Sequence, residues 1–300
     1  MIRHRDTLHC LDSEIRFTRG VQSLLISTTL ELCFPNTHQF TATVADDQGV
    51  ERILGQFILE DSSARLTFIF PDGNEQSAAL SILLDSLVWQ CGEMGGQRFL
   101  AEVEDGQSLT SALHRSGFCP VCQQYIWKAI PNIPAPIASD FEWQNATNID
   151  FTSIRSLYKK ISPPAVQSAL PLTPVYFPSL VLKEKNETVG FARVRRQNRN
   201  ILITPHIINQ KENEQMLAAL FGLVSGDENQ VYVVERSYQP WLKPALAGLA
   251  QVVSPCQTIM VKHLMLAQKV VSEQREHVAV EHHRAQPTTP IVSSSPHEKC

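Results

Sequence analysis

The strongest constraint in this chain is that it reads as one unit used twice: residues 40–128 and 149–265 run through the same kinds of element in the same order. Gly55 corresponds to Gly190 and Leu66 to Ile201 at a spacing of 135. Phe99 corresponds to Val231, Gln107 to Gln239, Leu109 to Trp241 and Leu113 to Ala245 at a spacing of 132. An internal duplication is the economical reading of such spacings. It gives content to a length of 300 residues, which alone argues for about two domains. The expected boundaries are a first unit at 1–128, a tether at 129–144, a second unit at 145–268 and a tail at 269–300. The tether holds Pro131, Pro134 and Pro136, whose fixed φ favours an extended chain. The tail has few large apolar residues, three prolines and a serine run, a composition that does not build a core.

Periodicity supplies the elements. In the first half, strands are expected at 40–44, 52–59 and 65–70, with turn chemistry at Asp61-Ser62-Ser63. Leu80, Leu83, Leu84, Leu87, Val88 and Cys91 recur at helical spacing, and Gly95-Gly96 lies beyond them. A strand at 99–104, a short helix from Ser108 stopped by Gly117, and a strand at 121–127 complete the half. The second half opens with a helix carrying Phe151, Ile154, Leu157, Tyr158 and Ile161, ended by Pro163-Pro164. Strands follow at 179–183, 188–195 and 201–204, then a helix with Met216, Leu217, Leu220, Phe221 and Val224 on one face. A strand at 231–235, a helix at 241–250 and a strand at 258–264 close it.

The formal charge of -4 conceals a split. Residues 1–130 carry 9 Lys and Arg against 16 Asp and Glu, whereas residues 145–270 carry 14 against 8. Halves of opposite sign argue for mutual docking or one anionic ligand, and against a nucleic-acid binder. Arg193, Arg195, Arg196 and Arg199 crowd one hairpin of the basic half. A solvated tip is their first reading and docking on the acidic half the second. No apolar run approaches the ~18 residues of a membrane span, and MIRHRDTLHC has no apolar signal core. Seven scattered cysteines suit free thiols, so a cytoplasmic protein is expected. Cys119 and Cys122 lack the second pair that a structural zinc needs and read as a strand entrance; no metal is expected. His277, His282, His283 and His297 read as solvated tail residues, and Trp127, Trp143 and Trp241 as packing anchors.

The most specific local pattern is RFLAEVEDGQSLTSALHRSGFCPVCQQYIWK at 98–128: a strand, a short helix ending at Gly117-Phe118, and a closing strand. With the hairpin, third strand and long helix before it, this pattern resembles the GNAT acyl-CoA N-acyltransferase superfamily, and the whole chain resembles a tandem GNAT protein. The fold class implied is α/β (α+β), two GNAT-like domains in tandem, each a mixed, mostly antiparallel sheet flanked by helices. In that fold two neighbouring strands splay, freeing backbone groups for the pantetheine arm of CoA. The pyrophosphate then meets the N-terminus of the long helix, where free N–H groups favour an anion.

The resemblance therefore implies acetyl-CoA or another acyl-CoA as co-substrate, held by Ile69, Phe70, Gly73, Asn74, Gln76 and Ser77. The loop at 71–78 has one glycine and two carboxylates, and the matching loop at 205–213 has no glycine. Acyl transfer to an amine also needs a base and an acid. The family's Tyr position falls on Leu113 and Ala245, leaving Tyr238 as the nearest substitute. Glu104 and Glu102 are the candidate bases, and otherwise read as exposed edge carboxylates. The function implied is acyl transfer to a small-molecule amine or a protein N-terminus, with at most one half active. The first half is slightly favoured for its Gly-Phe pair and Gly73. The alternative is a non-catalytic module that binds acyl-CoA or a protein partner.

Overall fold

The computed structural model describes residues 9–20, 38–45, 52–71, 78–131, 140–173, 178–226 and 229–264. The tail and the loop residues Gly73, Asn74, Gln76 and Ser77 lie outside the described residues.

The first half contains β1 (His9–Cys10), α1 (Ser13–Thr18), β2 (Gln39–Ala45), β3 (Arg52–Glu60) and β4 (Ser63–Phe70). It continues through α2 (Ala78–Glu93), β5 (Arg98–Glu104), α3 (Leu109–Arg115) and β6 (Cys119–Ala129). The second half contains β7 (Phe141–Asn145), α4 (Phe151–Ile161), α5 (Pro164–Ala169), β8 (Leu180–Glu184), β9 (Glu187–Gln197) and β10 (Asn200–Ile207). It ends with α6 (Asn213–Val224), β11 (Gln230–Arg236), α7 (Leu242–Ala247), β12 (Ala250–Val252) and β13 (Gln257–His263).

Local chemistry explains several of these limits. Pro163 ends α4, and Pro164, which has no N–H to leave unpaired, starts α5. Gly117 adopts φ +83 just past α3, and the N–H groups of Gly117 and Phe118 donate back to His114 O and Leu113 O. That satisfies carbonyls which the helix end would otherwise leave open. Asp12 caps α1 by accepting a bond from Ile15 N at 3.0 Å.

The strands form one sheet in the order β2-β3-β4-β5-β13-β6-β11-β10-β9-β8-β7, with β1 on β4 and β12 on β6. Among the described strands only β4/β5 and β10/β11 run parallel. Each half lends the other its final strand. The second half's β13 lies between β5 and β6, and the first half's β6 pairs with β11. On one face, α2 and α3 bury Leu80, Leu83, Leu109 and Leu113 with Phe57, Phe99 and Met260, while α6 and α7 bury Leu217, Leu220 and Leu246 with Ile203 and Val233. The opposite face carries α1, α4 and α5. Alternation along β13 serves both faces, for Met260 joins the α2 core while Ile259 and Val261 pack with Leu100 and Ala169.

The structure departs from the sequence reading at several points. Phe141–Asn145, inside the expected tether, is the edge strand β7, with Phe141 and Trp143 buried in the core. Glu102 and Glu104 are not on an edge, because β13 pairs along β5 opposite both of them. The helix expected to reach residue 250 stops at Ala247, and the chain turns into β12.

Candidate active site between the two halves

Strands β4 and β5 pair only where Ser63–Arg65 faces Arg98–Leu100. The chain itself fills the gap beyond. His9 pairs with Ile69 and Cys10 with Phe68, Leu11 N donates to Thr67 O at 2.8 Å, and Glu102 N donates to Leu11 O at 3.1 Å. Of the residues expected to bind CoA, Ile69 is thus already paired between Gly55 and His9, and Phe70 faces Leu54.

The second half has the matching gap, since β10 and β11 pair only where Asn200–Ile203 faces Gln230–Val233. There two side chains close it. Gln239 Nε2 donates to Pro205 O at 3.0 Å, and Ile207 N donates to Gln239 Oε1 at 3.0 Å. Trp241 Nε1 donates to Ile207 O at 2.9 Å.

His206 lies between those bridged groups, and strand alternation sends its ring to the opposite face from Ile207. It is 6% exposed, stacks on Phe191 with centroids 4.5 Å apart, and meets the Tyr238 hydroxyl at 3.0 Å through Nε2. Burial, aided by the cations of Arg236 and Arg193, pushes His206 down to about 3, so its ring is neutral near pH 7. Burial also pushes the Tyr238 phenol up. Tyr158, whose hydroxyl donates to Leu170 O at 2.6 Å, meets His206 edge-on.

Beside this pair lies a cavity of about 110 Å³ beneath α1, α4 and α5. Leu100, Ile259 and Val234 give it an apolar floor. Its charged residues come from both halves. Asp12, Glu14, Arg65 and Glu102 belong to the first, and Arg193 and Arg236 to the second. Arg65 lies 2.9 Å from Asp12, 3.3 Å from Glu14 and 3.2 Å from Glu60. Arg193 and Arg195 reach Glu14 at 2.6 and 3.4 Å. These two hairpin arginines therefore dock on the acidic half and are not a solvated tip, while Arg196 reaches Val224 O at 3.5 Å. Burial opposes the charge on Glu14, but Arg65, Arg193 and Arg195 outweigh it and hold the carboxyl low. Burial raises Asp12 to about 6 despite Arg65, and Glu102 and Glu14 add to the rise.

The two candidate bases differ in place. Glu102 lines the cavity and accepts a bond from Ser13 N at 2.7 Å. Glu104 does not line it and is paired with Arg16. Tyr238 touches the cavity wall through His206. Sequence reasoning missed His206; its only signal was a polar position alternating with Ile203, Pro205 and Ile207. Cys119 and Cys122 open β6, and among the described residues no three His, Cys, Asp or Glu side chains cluster as metal ligands. No helix among the described residues is long and apolar enough to cross a membrane.

No family model matches the sequence, and no curated protein sequence matches it. Solved structures do resemble it. A GCN5-related N-acetyltransferase from Sphaerobacter thermophilus is 10% identical, with a TM-score of 0.47 over 79% of this chain and 85% of that one. Another from Kribbella flavida is 10% identical, with 0.45 over 81% and 95%. A tandem GNAT protein from the clavulanic acid biosynthesis pathway is 10% identical, with 0.42 over 79% and 87%. A likeness of this kind concerns the fold alone. The strand order and the repeated element order rest on this chain's own residues, and the architecture they define is a mixed, mostly antiparallel sheet flanked by helices.

Proposed function

We propose that the second half is the acyl-CoA site of an N-acyltransferase and that the first half is its structural partner. What carries this reading is the difference between the two splays. Main chain fills the first, whereas side chains, the Gln239 amide together with the Trp241 indole, close the second. That amide makes on β10 the bonds a pantetheine amide would make. His206 and Tyr238 stand at the mouth of the same gap.

In this scheme an acceptor amine attacks the thioester carbon, the C–N bond forms and the C–S bond breaks. His206 takes the proton from nitrogen while Tyr238 gives its own to the departing sulfur. His206 then returns its proton to the Tyr238 oxygen, which restores both groups.

The non-catalytic reading has its own support. Glu212 and Glu214 lie at the start of α6, where a pyrophosphate would dock, and the preceding loop has no glycine. Thermal denaturation with acetyl-CoA, together with an assay of CoA release across a panel of amines, separates the two: a shift without release supports the non-catalytic reading. Selective binding to the native state raises Tm. Gln239→Ala leaves Pro205 O and Ile207 N unpaired, costing about 1–3 kcal/mol, and acetyl-CoA is expected to raise Tm more in the variant than in the wild type. Tyr238→Phe should keep the shift and slow CoA release at least about tenfold. No shift in either protein at millimolar acetyl-CoA leaves the non-catalytic reading.

A further inference from the structure

Two polar groups of the cavity are left without the partners that burial demands. Arg236 of β11 pairs with no carboxylate among the described residues, and its Nε atom is buried without a hydrogen-bond partner. Its guanidinium hydrogen-bonds the Tyr238 hydroxyl, and its other polar neighbours are the Tyr158 hydroxyl, the Cys122 thiol and, less strongly, Glu102. Opposite it in the strand register is Gln124 of β6, which is 1% exposed. Gln124 Nε2 donates to Gln257 Oε1 at 3.1 Å, which fixes the amide and leaves Gln124 Oε1 buried and unpartnered.

A buried guanidinium with no carboxylate within pairing distance costs several kcal/mol, and a buried acceptor without a donor about 1–3 kcal/mol. Both residues line the same cavity, so a ligand that brings an anion to one and a donor to the other would remove both costs. Glu102 on the acidic wall adds a negative group for a cationic donor, and Leu100, Ile259 and Val234 supply apolar area. The volume of about 110 Å³ holds several waters or a small organic molecule.

We infer that this cavity binds a free α-amino acid with an apolar side chain, its carboxylate on Arg236 and its ammonium group on Gln124 Oε1 and Glu102. The amine then lies on the face where His206 presents its ring. That the amine is the acylated nitrogen rests on the acyltransferase reading; the binding itself does not.

The test is a binding series on the whole protein with L-leucine, 3-methylbutylamine, which lacks the carboxylate, and 4-methylpentanoate, which lacks the amine. Calorimetry is expected to give saturable binding of leucine and at least about tenfold weaker binding of each truncated compound, as loss of a charge-assisted contact entails. Arg236→Gln should weaken leucine at least tenfold while leaving the binding of 3-methylbutylamine unchanged. Absence of leucine binding, or equal binding of leucine and 3-methylbutylamine, overturns the inference. So does leucine binding that survives in a folded Arg236→Gln protein. Should that variant fail to fold, the three-compound series on the wild type decides alone. Leucine binding without CoA release from acetyl-CoA supports the amino-acid site and removes the acyltransferase reading. An acetyl-CoA shift with no leucine binding does the reverse.

Discussion

Asp12 does three jobs with one carboxylate: it caps α1, pairs with Arg65 and lines the cavity. Its environment sets a pH dependence whose sign can be worked out. Burial raises its folded pKa to about 6, above the usual value of 3.8, so the folded state binds its proton first. That contribution is fully present below the unfolded value and is lost as pH rises through about 6. Stability should therefore gain from Asp12 as pH falls from about 7 to about 5, before Glu14, held low by its arginines, begins to act in the opposite direction. Urea unfolding at several pH values checks this, and Asp12→Asn, which stays neutral and can still cap, should flatten the slope. A variant with the wild-type slope would contradict the assignment. Such a residue is hard to read from sequence. Asp12 precedes a six-residue helix, and Arg65, which charges its surroundings, lies 53 positions away. His206 was invisible for a similar reason, since its value comes from Phe191, Tyr158 and Tyr238, none of them neighbours in the chain.

Elements whose causes are local were legible. The stripe of α2, the proline stop of α4 and the glycine stop of α3 all follow from residues within a turn or two. Gly117→Ala tests the last of these. The φ of +83 strains any side chain, while a Cβ there meets nothing nearer than Lys262 Cε at 3.6 Å, so backbone strain is the main cost. A loss of about 1 kcal/mol is expected in denaturant unfolding. What local pattern does not carry is pairing. Glu102 and Glu104 read as edge carboxylates because the strand that covers them, β13, comes about 150 residues later. The tether looked uniform because Pro131, Pro134 and Pro136 dominate it, yet β7 begins at Phe141 and extends the far edge of the sheet.

For the whole molecule, the repeated element order and the charge split meet in one assembly. The halves exchange their last strands, and Arg193 and Arg195 of the basic half close on Glu14 of the acidic one. A half expressed alone would leave the exposed flank of β5 or β11 unpaired, a ready template for aggregation. Residues 1–136 and 137–268 made separately should be insoluble or unfolded by circular dichroism. Coexpressed, they should copurify as a folded pair. Two halves that each fold alone would contradict the exchange. The same assembly places one splay under main chain and the other under the Gln239 and Trp241 side chains, and that difference is the basis for assigning acyl-CoA to the second half. Amide hydrogen exchange with saturating acetyl-CoA measures it directly. Slowed exchange at Ile207 and across residues 237–241, with Thr67–Ile69 unchanged, is the result predicted; protection at Thr67–Ile69, or at neither site, would contradict it.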